Sequence, residues 1–136
     1  MSKMRNKMLC IAIAMAISTT AFAWVTPSTA KLVKIDVKPC SNPNTINAKS
    51  HGVVPVAIYA DEDFDVRDVI VESLLFLRAR PCRYSYEDNY LMLHFYKSDM
   101  TFPASGNYTA TVSGYYKING KLIHFLGQDT IRIIHN

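Results

Sequence analysis

Positive charge is scarce once the first residues are set aside. The 136-residue chain carries 15 Lys+Arg against 11 Asp+Glu, a formal net charge of +4. Lys3, Arg5 and Lys7 precede every acidic residue, and taking away residues 1–23 leaves 12 basic against 11 acidic side chains. A near-neutral remainder lacks the clustered positive surface that displaces counterions from nucleic acid, so nucleic-acid binding is excluded. Long apolar runs are also missing. Met8–Ile17 is ten residues of uninterrupted apolar sequence, about half of the roughly 20 that a membrane-spanning helix needs. No Gly-rich phosphate loop, no G-x-S-x-G elbow and no His pair at i, i+4 is present, so phosphate cradling, serine hydrolysis and helical zinc binding have no local signature. His51, His94, His124 and His135 are scattered. His94 and His124 fall mid-strand and are placed to meet across a sheet, but ordinary half-buried imidazoles are expected. The single Trp, Trp24, lies near the start, which weakens the case for an aromatic platform for sugars. The expectation is therefore no catalytic residue, no metal ligand and no cofactor.

What is present first is a targeting segment. A basic start (Met1–Lys7), the apolar run and the ending Ala21-Phe22-Ala23 follow the order of a secretory signal peptide with an A-x-A cleavage site. Residues 1–23 are read as a signal-peptide helix cleaved between Ala23 and Trp24, residues 24–30 as a flexible lead-in, and residues 31–136 as one domain. The expected location is the periplasm or the medium, with no membrane span after cleavage.

Export governs how the cysteines are read. Cys10 leaves with the signal, so Cys40 and Cys82 remain in an oxidising compartment. An even pair there is expected to form a disulfide, which would contribute roughly 4 kcal/mol in the chain-entropy model. Two free thiols, or a bridge between chains, are the competing readings.

From Lys31 on the period is two. Val33, Ile35 and Val37 alternate with Lys34, Asp36 and Lys38, which gives one apolar and one charged face. Gly52–Tyr59 reads as a strand buried on both sides, with Pro55 suggesting an edge or a bulge. Val69–Leu77 reads as a strand in preference to a short helix, and Tyr90–Tyr96 as another. Asn107–Ile118 and Lys121–Phe125 flank Asn119-Gly120, a strong hairpin signal because both turn positions need positive φ. Gly127-Gln128-Asp129 reads as a turn before a last strand, Thr130–His135. About seven short strands without an amphipathic helix predict an all-β fold, an antiparallel Ig-like, Greek-key β-sandwich.

Two segments stand out as candidate surfaces. Tyr84, Tyr86 and Tyr90 interleave with Arg80 and Arg83. Tyrosines give broad contact area at low entropic cost, so these five residues are the expected binding surface for a protein or cell-surface component, the partner being unknown. The competing reading, which ordinary packing favours, is that the same rings cover the open face of a small sandwich. The other segment is Asp61–Asp68, where Asp61, Asp63, Asp65 and Glu72 match positions 1, 3, 5 and 12 of a calcium loop. Position 6, where a sharp turn needs Gly, is Val66, which argues against an EF-hand. A solvated loop with Phe64 plugging the core is expected there. The alternative is a calcium-binding or hydrolytic accessory domain.

Ile35-Asp36-Val37-Lys38-Pro39, Asn42–Asn47 (NPNTIN), Gly52–Ile58 (GVVPVAI) and Asp63-Phe64-Asp65-Val66 resemble an uncharacterised β-sandwich module of secreted bacterial proteins, whose motifs read IDIKPGS-x-PNSIN, GVIPVAIL and DFDV. Leu91–Phe95 and Gln128–Ile133 are similar to its final strands. The resemblance implies an exported accessory module without catalytic residues. Cys40 stands where that module has Gly, and Tyr84–Tyr90 replaces a glycine- and carboxylate-rich loop. The resemblance thus implies a lost calcium site, with a Cys40–Cys82 bridge as the replacement brace.

Overall fold

The computed structural model describes residues 30–136. The expected signal helix, the Ala23–Trp24 cleavage point and the lead-in up to residue 29 lie outside the described residues. Among the described residues no helix is long and apolar enough to cross a membrane.

The described chain is all-β: β1 (Lys31–Val37), β2 (Thr45–Asn47), β3 (Val53–Tyr59), β4 (Val69–Phe76), β5 (Arg83–Tyr86), β6 (Tyr90–Tyr96), β7 (Gly106–Ile118) and β8 (Lys121–Ile134). Hydrogen bonding follows the path β4-β7-β8-β1-β3-β6-β5, and β2 pairs with β8. This path curls so that β4-β7-β8 faces β3-β6-β5, as the expected sandwich does. Phe76 of β4 meets Phe95 of β6 across the interior at 5.3 Å. Leu74, Val112, Phe125 and Ile133 from one layer bury against Val54, Val56, Leu91 and Leu93 from the other. Each such side chain contributes about 1.5–3 kcal/mol when taken out of water.

The alternation read in β1 is realised: Val33, Ile35 and Val37 are buried, and Leu32 and Lys34 are exposed. β1 serves both layers. Lys31–Lys34 pairs parallel with Phe125–Gln128 of β8, while Ile35–Val37 pairs antiparallel with Val56–Ile58 of β3. β2 then takes up a second parallel pairing with Arg132–Ile134 at the far end of β8. The remaining pairings are antiparallel.

Three local expectations are corrected. Gly127-Gln128-Asp129 is not a turn, because β8 runs unbroken through it. Both residue types serve the crossover of β1. A Cβ on Gly127 would lie 2.3 Å from Ile35 Cγ2, so glycine lets β1 cross. The Asp129 carboxylate accepts from Val37 N–H and Asn44 Nδ2, each at 2.9 Å, where β1 has parted from β8. Pro55 is neither at an edge nor at a bulge, since β3 lies between β1 and β6. Its carbonyl accepts from Lys38 N–H at 2.8 Å, so its missing donor faces the point where β1 ends. The Lys38 carbonyl there accepts from Ser41 N–H instead.

The third correction concerns the cysteines. Cys40 and Cys82 are free thiols, and the expected bridge is not formed. Lys38 faces Pro55, Pro55 faces His94, and His94 faces Arg83, in one row across four strands. The two cysteines flank the ends of that row. Cys40 lies beyond the end of β1 and Cys82 just ahead of β5, on elements that β3 and β6 separate in the strand path, and the Cys82 thiol donates to the His94 carbonyl instead.

The Asn119-Gly120 hairpin forms as expected, with φ of 51° and 78°. A second two-residue turn of the same kind escaped the sequence reading. Leu77 and Arg78 have φ of 48° and 69°, and Phe76 and Ala79 exchange both backbone hydrogen bonds around them. Side chains oppose this conformation by roughly 1–2 kcal/mol per residue. It sets the apex of the site described next.

Candidate functional site: the wedge between the β4 and β5 edges

β4 and β5 leave the Leu77-Arg78 turn as neighbours and then separate into opposite layers, becoming the two ends of the strand path. β4 is bent away by a bulge. Ile70 faces Tyr115 and Leu75 faces Ser113, so the four residues between oppose Gly114 alone. Ser73 Oγ repairs the ladder, donating to Ile70 O at 2.6 Å and accepting from Tyr115 N–H at 2.9 Å. Leu74 packs over Gly114, where a Cβ would lie 2.7 Å from its Cδ2. The bulge turns the Glu72 carbonyl outward, and Arg80 Nη1 donates to it at 2.6 Å.

On the opposite side Pro81 leads into β5. Cys82 N–H and Sγ both donate to the His94 carbonyl, at 2.7 and 3.2 Å. The resulting open groove of about 480 Å³ is lined by Val71, Glu72, Arg80, Pro81, Cys82, Arg83 and Tyr84. Among the described residues neither Arg80 nor Arg83 makes a salt bridge; the one present joins Lys31 to Asp61. Tyr84 is 51% exposed at the mouth.

Three of the five surface residues expected from sequence, Arg80, Arg83 and Tyr84, therefore line one groove. Tyr86 supports it from beside. Its ring meets Tyr84 edge-on at 5.6 Å, and the Arg67 guanidinium lies 5.0 Å over it. Burial, with Tyr84 adding to it, pushes the Tyr86 hydroxyl above its ordinary pKa. Tyr90 does not join the group. It pairs in register with Tyr59, against which its ring packs at 5.6 Å. Tyr84 faces Leu93 of β6, an inward position, while Tyr90 alternates with inward Leu91 and so falls on the outer face. Val71, Glu72 and Arg67 were missed, since nothing local in the sequence marks the β4 bulge that presents the first two.

The acidic segment builds a different groove. Phe64 plugs the core as expected, with its ring 5.1 Å from Tyr116 and 5.4 Å from Phe125. Asp61 Oδ1 accepts from Asp63 N–H at 2.8 Å and Oδ2 meets Lys31 Nζ at 3.2 Å. The Asp63 N–H is the chief reason the Asp61 carboxyl lies below its ordinary pKa. Asp65 Oδ1 caps the short turn Val66–Asp68 through Arg67 N–H at 2.9 Å. Glu72, twelfth in the calcium-loop spacing, lines the wedge instead. Among the described residues no three His, Cys, Asp or Glu side chains are grouped to hold a metal. His94 and His124 do not meet, because β1 and β3 separate β6 from β8; His124 packs on Tyr115 at 5.1 Å.

No family model matches the chain, and no curated protein matches it. Among solved structures it is similar to the crystal structure of AggA, the major subunit of aggregative adherence fimbriae type I from Escherichia coli. The TM-score is 0.39 and the identity 9%, over 76% of this chain and 94% of that one.

Proposed function

We propose that this protein is an exported, non-enzymatic β-sandwich that works by binding a protein or cell-surface component through the β4–β5 wedge. Export is supported by the order of basic, apolar and A-x-A segments in residues 1–23. The resemblance of Ile35–Val66 to the secreted bacterial module supports the same reading. The observation that carries it is the composition of the wedge: an exposed tyrosine beside two arginines without carboxylate partners, held between two sheet ends. Tyr and Arg are the side chains that most often anchor interfaces. The partner is met in the periplasm or the medium.

The experiment is capture from a native envelope extract with the wild type and with the Arg83→Glu/Tyr84→Ala variant, both shown to be folded by circular dichroism. A partner retained by the wild type and lost by the variant supports the reading. Equal retention by both proteins places binding elsewhere on the surface.

A further inference from the structure

We infer that the outer edge of β5 receives an acidic, extended peptide segment of a partner protein as an added strand. The inference rests on the binding role of the wedge and specifies its mode. β5 ends the strand path, so one side of it has no neighbouring strand. Glu87 N–H donates to Tyr90 O, and the register puts Ser85 and Arg83 in the same phase. Antiparallel alternation then directs the N–H and C=O groups of Tyr84 and Tyr86 away from β6. Such a row of unpaired backbone groups is a template for one more strand.

The two edges of the wedge are not equivalent. Arg80 occupies the exposed Glu72 carbonyl on the β4 side, and Ser73 fills the gap in that ladder. Pro81 supplies no donor ahead of β5, so pairing registers on Tyr84 and Tyr86. Side chains of an added strand would alternate between the inward side, against the Tyr84 ring, and the outward side, beside Arg83. The first position suits an apolar residue and the second a carboxylate. Of the acids nearby, Glu87 is engaged by Ser85 Oγ at 3.2 Å. A second copy of this chain fits less well, because an antiparallel β5–β5 pair registered on Tyr84 and Tyr86 sets Arg83 against Glu87, whose carboxylate Ser85 Oγ already engages, whereas a partner's free carboxylate has no such competitor.

The test is an NMR titration of the full protein with a capped Glu-Val-Glu-Val-Glu-Val peptide, its Lys-for-Glu counterpart, and an analogue N-methylated at alternate residues. With the acidic peptide, the Tyr84 and Tyr86 amides should shift and exchange more slowly with solvent. Arg83→Gln should weaken binding on the order of tenfold while the spectrum stays native. The Lys peptide and the N-methylated peptide should not bind. Equal binding of the N-methylated peptide overturns strand addition while leaving a binding wedge in place. Equal binding of the Lys peptide overturns the charge assignment, and self-association of the wild type without peptide overturns the choice of occupant. No binding of the acidic peptide overturns this inference. The envelope capture experiment then decides separately whether the wedge binds anything.

Discussion

Replacing Gly127 by alanine tests the crossover of β1 more directly than any surface change. The added Cβ would lie 2.3 Å from Ile35 Cγ2 and 3.2 Å from both Val33 Cγ2 and the Val33 carbonyl oxygen. Carbon atoms rest comfortably at about 3.5–4.0 Å, so the first contact overlaps by more than an ångström. Ile35 cannot swing aside easily, because its branched Cβ restricts χ1 and it is 5% exposed. The Val33 oxygen belongs to the backbone, so relief requires β1 to lift from β8, stretching the parallel ladder of Lys31–Lys34. Overpacking of this kind costs about 1–3 kcal/mol, and two stiff obstacles place Gly127→Ala in the upper part of that range. In urea unfolding, a slope of roughly 1–3 kcal/mol per molar converts this to a fall in midpoint of about 1 M. Ile35→Ala removes the obstructing methyl. The double variant should therefore be more stable than the summed single effects imply, with a coupling of at least about 1 kcal/mol. An unchanged midpoint for Gly127→Ala, or strict additivity in the pair, would refute the idea that β1 fills the space above this glycine.

Two further outcomes are expected. Burial, and then the Arg83 guanidinium, holds the His94 imidazole below its ordinary pKa of 6.5, and its Nδ1 is buried without a hydrogen-bond partner. The unfolded chain takes up this proton more readily than the folded one. The contribution of His94 is therefore intact above the unfolded value and is lost as pH falls through it. Between about pH 7.5 and pH 5, the wild type should lose more stability than His94→Gln in denaturant titrations, and parallel curves would contradict the assignment. For the thiols, melting temperature should be the same with and without reductant. Cys40, which is exposed, should react with a thiol reagent faster than half-buried Cys82. A fall in melting temperature on reduction would restore the Cys40–Cys82 bridge.

The two-residue period made the all-β class legible, and Asn119-Gly120 fixed the one hairpin whose chemistry is local. Phe64 was legible for the same reason, as a lone apolar side chain among carboxylates. What failed were residues whose local preference is overridden by a partner distant in sequence. Gly127 and Asp129 look like turn formers, and only the arrival of β1 shows that one makes room and the other supplies an acceptor. Pro55 looks like an edge marker until β1 is seen to end opposite it. Leu77-Arg78 carries no turn signature, so the divergence of β4 and β5 was invisible. Arg80, Arg83 and Tyr84 were found because they are close in sequence. Val71 and Glu72 arrive from across the wedge, and Tyr90 departs because strand parity sends it to the other face. The cysteine pairing failed because β3 and β6 come between the elements that carry the two thiols, an order that spacing along the chain does not encode.

The sharing of β1 between the layers has a mechanical consequence. β1 and β8 run side by side in the same direction, so Lys31 and Ile134 lie toward opposite ends of that pair. Tension applied between residues 31 and 136 pulls the two strands lengthwise past each other. It loads the interstrand bonds together, where peeling would break them one at a time, and Ile35 seated over Gly127 acts as a catch against the slide.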